Sequence, residues 1–178
     1  MWRTIRNLNS NLTAGIRTKH GLTRDINIKD SIRQGGVLSV AEYSNIIDEI
    51  AKTISKEGIG KVNIRTTQTT GCPLWMDDVA LLHKDHHQLQ NMLDITEELA
   101  QRFHIKFGKE KNQVVNITKK DPHTFNLGQT KLEPTNKYKY LGMVINNQGN
   151  KEDHITNLKG KVEASLQTIL NIVSYPFI

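Results

Sequence analysis

A single cysteine, Cys72, stands among 178 residues, so no disulfide closes within the chain. That usage fits a reducing, intracellular setting, nuclear or cytoplasmic. No apolar run approaches the ~20 residues of a membrane-spanning helix, and no charged-then-apolar leader opens the sequence, so no membrane partner is expected. There are also no repeats, no low-complexity tracts and no stretch that reads as a linker. What is left is a chain long enough for one domain with its own core.

Charge is unevenly spread. The net charge is +6, but residues 1–33 hold seven Lys/Arg against two acids, and 106–139 hold eight against three. Between them, 34–105 hold six basic residues against ten acidic ones. Basic flanks around an acidic middle suit a polyanion held over a carboxylate-bound cation; Lys-rich loops that merely keep a fold soluble give the same pattern.

Hydrophobic spacing predicts helices and strands in mixed order. Trp2, Ile5 and Leu8 fall on one face of a short first helix. Ala14 to Thr18 and Thr23 to Ile28 read as a hairpin through His20-Gly21. Tyr43, Ile46, Ile47, Ile50, Ala51 and Ile54 line a second helix ended by Glu57-Gly58. Val62 and Ile64 alternate in a short strand. Asp85 is placed to cap a third helix, whose face is Leu89, Met92, Leu93, Thr96, Leu99, Ala100 and Phe103. His83, His86 and His87 cluster at the start of this helix without the Cys partner of a zinc motif. Strands are then expected over Gln113–Ile117, Thr124–Leu127, Lys131–Glu133 and Tyr138–Ile145. Asn150 is placed to cap a last helix with Ile155, Leu158, Val162, Leu166, Ile169, Leu170 and Val173 on its face, closed by Pro176. The order implies an α+β fold, with helices on one side of an antiparallel sheet.

Two places carry chemistry. In Leu74-Trp75-Met76-Asp77-Asp78-Val79-Ala80-Leu81-Leu82, two carboxylates sit between apolar runs, which reads as strand, tight turn and strand with both Asp at the tip. Adjacent carboxylates repel unless a cation neutralises them, and a divalent ion does so; alone, such a pair reads first as an ordinary solvated acidic turn. Upstream, Arg33-Gln34-Gly35-Gly36-Val37-Leu38-Ser39 is a glycine loop feeding a helix start, which suits an anion or simply a tight turn into a core helix.

Taken together, four segments resemble the palm of a reverse transcriptase, most closely of the non-LTR (LINE-like) retrotransposon kind. Arg33 to Ser39 is similar to that family's RQGxxLSP motif. Trp75-Met76-Asp77-Asp78 resembles its [YF]xDD turn. Phe107-Gly108-Lys109-Glu110-Lys111 resembles the next strand-leading motif, and Tyr140-Leu141-Gly142 the YLG of the primer-supporting hairpin. Val40 stands where the family has Pro, Gly108 where it usually has Asn, and Trp75 for Tyr or Phe. The family's first palm strand, with its own metal-binding Asp, has no counterpart between Met1 and Ser31; neither Asp25 nor Asp30 follows an apolar strand run.

The resemblance implies an antiparallel palm sheet with packed helices. Residues 1–147 would be a partial palm and 148–178 a helix leading toward the thumb. It implies an RNA-directed DNA polymerase, a nucleotidyltransferase of a transposable element, working on an RNA template, a DNA primer and deoxynucleoside triphosphates. Asp77 and Asp78 would bind Mg²⁺, with Mn²⁺ as a substitute, and Lys111 would sit at the triphosphate. Arg33, Gln34, Gly35, Ser39, Trp75 and Met76 would line nucleotide and template, and Tyr140, Leu141 and Gly142 would support the primer. Without the first Asp, the chain alone is expected to lack polymerase activity. The alternative is a non-catalytic retroelement remnant that at most binds nucleic acid through its basic flanks.

Overall fold

The structure is a computed structural model, and it describes residues 2–28, 36, 38–59, 62–65, 68–117 and 123–173. Helix α1 (Trp2–Leu8) leads into an exposed arm of four two-residue strands. β1 (Thr13–Ala14) pairs with β4 (Ile26–Asn27), and β2 (Arg17–Thr18) with β3 (Gly21–Leu22), all antiparallel. This is the expected hairpin, laid down as two ladder pieces. Asn9 ties its root to the body, its side-chain N–H donating to the Glu42 carboxylate at 3.1 Å.

Two helices form the centre. In α2 (Ser39–Lys56), Ile47, Ile50 and Ile54 follow the three- and four-residue steps of one helical face, and all three are buried. Beyond a short ladder of β5 (Asn63–Arg65) with β6 (Gln68–Thr69) and the hairpin described below, α3 (His86–Arg102) supplies Met92 and Leu99 to the same cluster. Each such side chain removed from water contributes roughly 1.5–3 kcal/mol, so these two faces settle where the core lies. Asp85 caps α3 as expected: its carboxylate accepts the Gln88 N–H at 2.9 Å, replacing a partner that a helix's first turn lacks.

The other side of α3 carries a smaller core of Leu93, Phe125 and Leu132. Here β10 (Phe125–Leu127) pairs antiparallel with β11 (Thr130–Thr135). Gln90 clamps β10 to the helix, its amide donating to the Asn126 carbonyl at 2.8 Å and accepting the Asn126 N–H at 3.0 Å. β11 then pairs with β9 (Gln113–Val115), and this ladder is parallel where an antiparallel one was expected. The chain path accounts for it: the chain reverses at β10, which takes Thr130 to Leu132 on one edge of β11, so β9 runs the same way as β11 and takes the remaining outer half, Glu133 to Thr135. Pro134 lies in that singly paired half, where its missing N–H breaks no second ladder.

The single strand that spacing predicts over Tyr138–Ile145 is a hairpin of β12 (Lys137–Tyr140) and β13 (Met143–Asn146), as the resemblance at Tyr140-Leu141-Gly142 implies. It leads to α4 (Glu152–Val173). The root of α4 is held by Asn146, which is buried and donates to Asn150 Oδ1 and Asp153 Oδ2, both at 2.7 Å. Lys137 pairs with the same Asp153 carboxylate. Asn150 accepts the Glu152 N–H at 3.3 Å, while Lys151 holds the capping position through its carbonyl, which accepts from Ile155. Further along, Val162, Leu166, Ile169 and Leu170 are exposed. The sequence expects them to form a packing face. The mixed architecture is α+β. Among the described residues its strands form separate ladders of two or three, and no helix is long and apolar enough to cross a membrane.

Candidate active site at two hairpin tips

β7 (Leu74–Trp75) and β8 (Asp78–Val79) pair Leu74 with Val79 and Trp75 with Asp78. Two further bonds extend the neck, from Ala80 N–H to the Pro73 carbonyl at 3.1 Å and from Leu82 N–H to the Gly71 carbonyl at 2.7 Å. The tip is therefore Met76-Asp77. The sequence reading placed both Asp there, but only Asp77 is at the tip; Asp78 opens the returning strand. The core sets this register. Leu74 and Val79 pack against the α2–α3 cluster, and strand alternation sends Trp75 and Asp78 to the other face. Trp75 is 62% exposed.

Met76 has φ 54°, whereas Asp77 is not in the left-handed region. Positive φ at the first central position only is the sign pattern of a type II′ turn, whose twist matches a two-residue hairpin. Glycine adopts it freely, and a methionine there costs on the order of 1–2 kcal/mol. Strain is thus held between Trp75 and Asp77. A cleft of about 220 Å³ beside the hairpin is lined by Ser44, Ile47, Asp48, Leu74, Trp75 and Met76.

Asp77 and Asp78 are exposed. The ion pair seen among the described residues, Lys137–Asp153, involves neither. Two tyrosines flank them. Burial raises the pKa of Tyr43, on α2, and the Asp77 carboxylate raises it further. Tyr140 is raised first by burial, then by Asp78, Cys72 and Tyr138. Cys72, half-buried in the neck, is pushed up to about 11 by burial.

Tyr140 ends β12 and pairs with Met143 across Leu141-Gly142. Both central residues have positive φ, 49° and 83°, the pattern of a type I′ turn. Gly142 accepts that geometry freely; Leu141 does not, and it stands 51% exposed at the tip. The Tyr140 hydroxyl donates to the Pro73 carbonyl at 3.2 Å, which brings the two hairpins together. Lys111 closes a 3-10 turn (Lys109–Lys111) and is exposed. Its carbonyl accepts the Tyr138 hydroxyl at 3.2 Å.

Of the glycine-loop residues, Arg33, Gln34 and Gly35 lie outside the described residues. Ser39 is the first residue of α2, and its N–H donates to the Gly36 carbonyl at 3.2 Å. Asp77, Asp78, Trp75, Met76, Tyr140, Leu141 and Gly142 fall on the two adjoining hairpins, and Lys111 is tied to the second through Tyr138. Sequence reasoning passed over Tyr43 and Tyr138. The signal for Tyr43 was a polar-tipped ring inside an otherwise aliphatic helix face; for Tyr138 it was its place two residues before Tyr140, on the same strand face.

The histidines do something else. His83 Nδ1 takes the Asp85 N–H at 3.0 Å, and the His86 ring stacks on His123 with centroids 3.8 Å apart. Among the described residues no group of three His, Cys, Asp or Glu side chains is arranged to hold a metal. Asp77 in the turn and Asp78 at the start of β8 are exposed hard oxygen donors, the donor type that Mg²⁺ and Mn²⁺ take. They fit as two ligands of such an ion, with the rest of its shell from water, substrate or another carboxylate.

A family model described as Reverse transcriptase (RNA-dependent DNA polymerase) matches residues 3–145. No curated protein and no solved structure matches the chain.

Proposed function

The chain belongs to the reverse transcriptase family, and from that premise we propose that it is the palm of an RNA-directed DNA polymerase of the non-LTR retrotransposon kind, with residues 148–178 leading toward the thumb. The observation that carries this is the joining of two hairpins, one presenting Asp77 and Asp78 and the other Leu141-Gly142, through the Tyr140–Pro73 hydrogen bond.

In this reading Asp77 and Asp78 would hold Mg²⁺, or Mn²⁺ in its place. The chemistry supplied by that bound ion is Lewis acidity toward the primer 3′-OH and the reacting phosphate. Lys111 neutralises the triphosphate and delivers a proton to the departing pyrophosphate, a task suited to a compact cation on a flexible stem. Trp75 and Met76 border the nucleotide and template, as do Arg33, Gln34, Gly35 and Ser39 upstream. Tyr140, Leu141 and Gly142 support the primer. Mg²⁺ surrenders its waters reluctantly and needs several hard ligands placed at once. Two carboxylates therefore hold it loosely, and these 178 residues are expected not to extend a primer by themselves.

The test is primer extension on an RNA template with Mg²⁺ or Mn²⁺. One arm uses this chain alone; the other has a reverse-transcriptase strand bearing the family's first Asp fused ahead of it. Extension by the fusion only, abolished by Asp77→Ala, is the expected result. Extension by the chain alone would overturn the expectation that these two carboxylates do not suffice. If neither arm extends while both bind the primer–template, the second reading takes over: a retroelement remnant that binds nucleic acid through its basic flanks. That reading draws on the absence, among the described residues, of a third metal-binding side chain beside the pair.

A further inference from the structure

We propose that Tyr138 and Tyr140 act as a two-point staple, positioning residues that hold the acidic hairpin and the lysine turn in register on one strand. The proposal rests on reading Asp77, Asp78 and Lys111 as the residues of the reaction, and it gives that constellation its scaffold.

The segments bearing these residues are far apart in sequence and touch few common elements. Among the described residues β7 and β8 pair only with each other, and the 3-10 turn of Lys109–Lys111 belongs to no ladder. β12 meets both by side chains. Its residues alternate between exposed Lys137 and Lys139 and half-buried Tyr138 and Tyr140, so period-two geometry puts both tyrosines on one face. From that face Tyr140 donates to the Pro73 carbonyl and Tyr138 to the Lys111 carbonyl, each at 3.2 Å. The acceptors are backbone atoms. The bonds therefore pin the path of the chain and leave the carboxylates and the lysine ammonium free for ligands.

The Pro73 carbonyl also accepts the Ala80 N–H at 3.1 Å. Both its lone pairs are used, and the staple enters the hairpin at the bond that closes its neck. Pro73 and Ala80 lie one residue outside the Leu74–Val79 pair, and the tip lies on the far side of that pair. A hinge at this neck would swing Asp77 and Asp78 as a unit; the tyrosine bond opposes that swing. Because β12 continues into the Leu141-Gly142 turn, the same strand fixes the primer-supporting tip relative to the acids.

The test uses Tyr140→Phe and Tyr138→Phe in the full chain, substitutions that keep the ring and delete the hydroxyl. Amide hydrogen exchange reads the staple. Tyr140→Phe is expected to speed exchange at Ala80 and Leu82 roughly two- to tenfold, the factor belonging to one neutral hydrogen bond. Exchange at Lys111, and at Ile50 and Met92 in the core, should stay unchanged. Tyr138→Phe should do the converse, speeding Lys111, whose N–H donates to the Gly108 carbonyl, and sparing Ala80 and Leu82. Unchanged exchange in both variants, or equal acceleration at the core amides, would overturn the proposal.

Terbium luminescence, with Tb³⁺ as the metal probe and Trp75 as the sensitiser, reads the consequence. The expected result is emission that Asp77→Ala abolishes, with an apparent Kd roughly two- to tenfold weaker in Tyr140→Phe. No Asp77-dependent emission from the unmodified chain would remove the metal reading, and the staple's positioning role with it, whatever the exchange data show. Emission present with exchange unaffected would sink the staple alone.

Discussion

Cys72 shows how one side chain reports on the neck of the acidic hairpin. Its thiol is lifted from 9.0 to about 11 because burial disfavours the thiolate. The thiolate is the reactive form, so alkylation by iodoacetamide at pH 8 should run about a hundredfold slower in the folded chain than in urea. Rates that match in the two conditions would mean that the neck is open in solution. The same shift has a consequence for stability. The folded pKa is raised, so the contribution is fully present below about 9 and is lost as pH climbs toward 11, the unfolded chain releasing its proton first. Tyr43 and Tyr140, both raised, add loss in the same direction above about pH 10. Urea midpoints should therefore fall steadily over the alkaline range.

At the scale of the element, the two hairpins share a peculiarity. Each places a bulky residue, Met76 or Leu141, in the left-handed region at its tip. Turns of the Leu141-Gly142 kind favour Asn-Gly, because Asn tolerates positive φ. Leu141→Asn should therefore raise stability by about 0.5–1 kcal/mol, read as a higher urea midpoint. If the exposed leucine is there to meet the primer, the same change weakens primer–template binding measured by fluorescence anisotropy. A gain in stability with no loss of affinity would free Leu141 of that role. Strain kept where an easier residue was available is a pattern of functional sites.

For the whole molecule the governing quantity is charge distribution. Arg17, Lys19 and Arg24 on the exposed arm, and Lys131, Lys137 and Lys139 on the distal strands, are solvent-facing. They flank the acidic middle from both ends of the sequence. Binding that neutralises about five phosphates loses about 10²–10³ in affinity between 50 and 200 mM salt, because displaced counterions drive the association. Anisotropy titrations across that range should give this slope on an RNA–DNA hybrid. A flat response would remove the basic flanks from the interface.

Much was determined by the sequence alone, for physical reasons. The faces of α2 and α3 follow from the 3.6-residue period acting on Ile47, Ile50, Ile54, Met92 and Leu99. The Asp85 cap follows from a short side chain beside unpaired N–H groups, and the metal-binding candidates from two carboxylates between apolar runs. These are local rules, and local rules survive without knowledge of the rest of the chain. The tertiary structure alone decided what depends on distant partners. The core face of Leu74 and Val79 moved the turn to Met76-Asp77 and put Asp78 on a strand. The reversal of the chain at β10 brought β9 alongside β11 in the same direction and made that ladder parallel. Most of all, hydroxyls on Tyr138 and Tyr140 met carbonyls 27 and 67 residues away, a pairing set by how β12 lies against both segments and by no spacing within either.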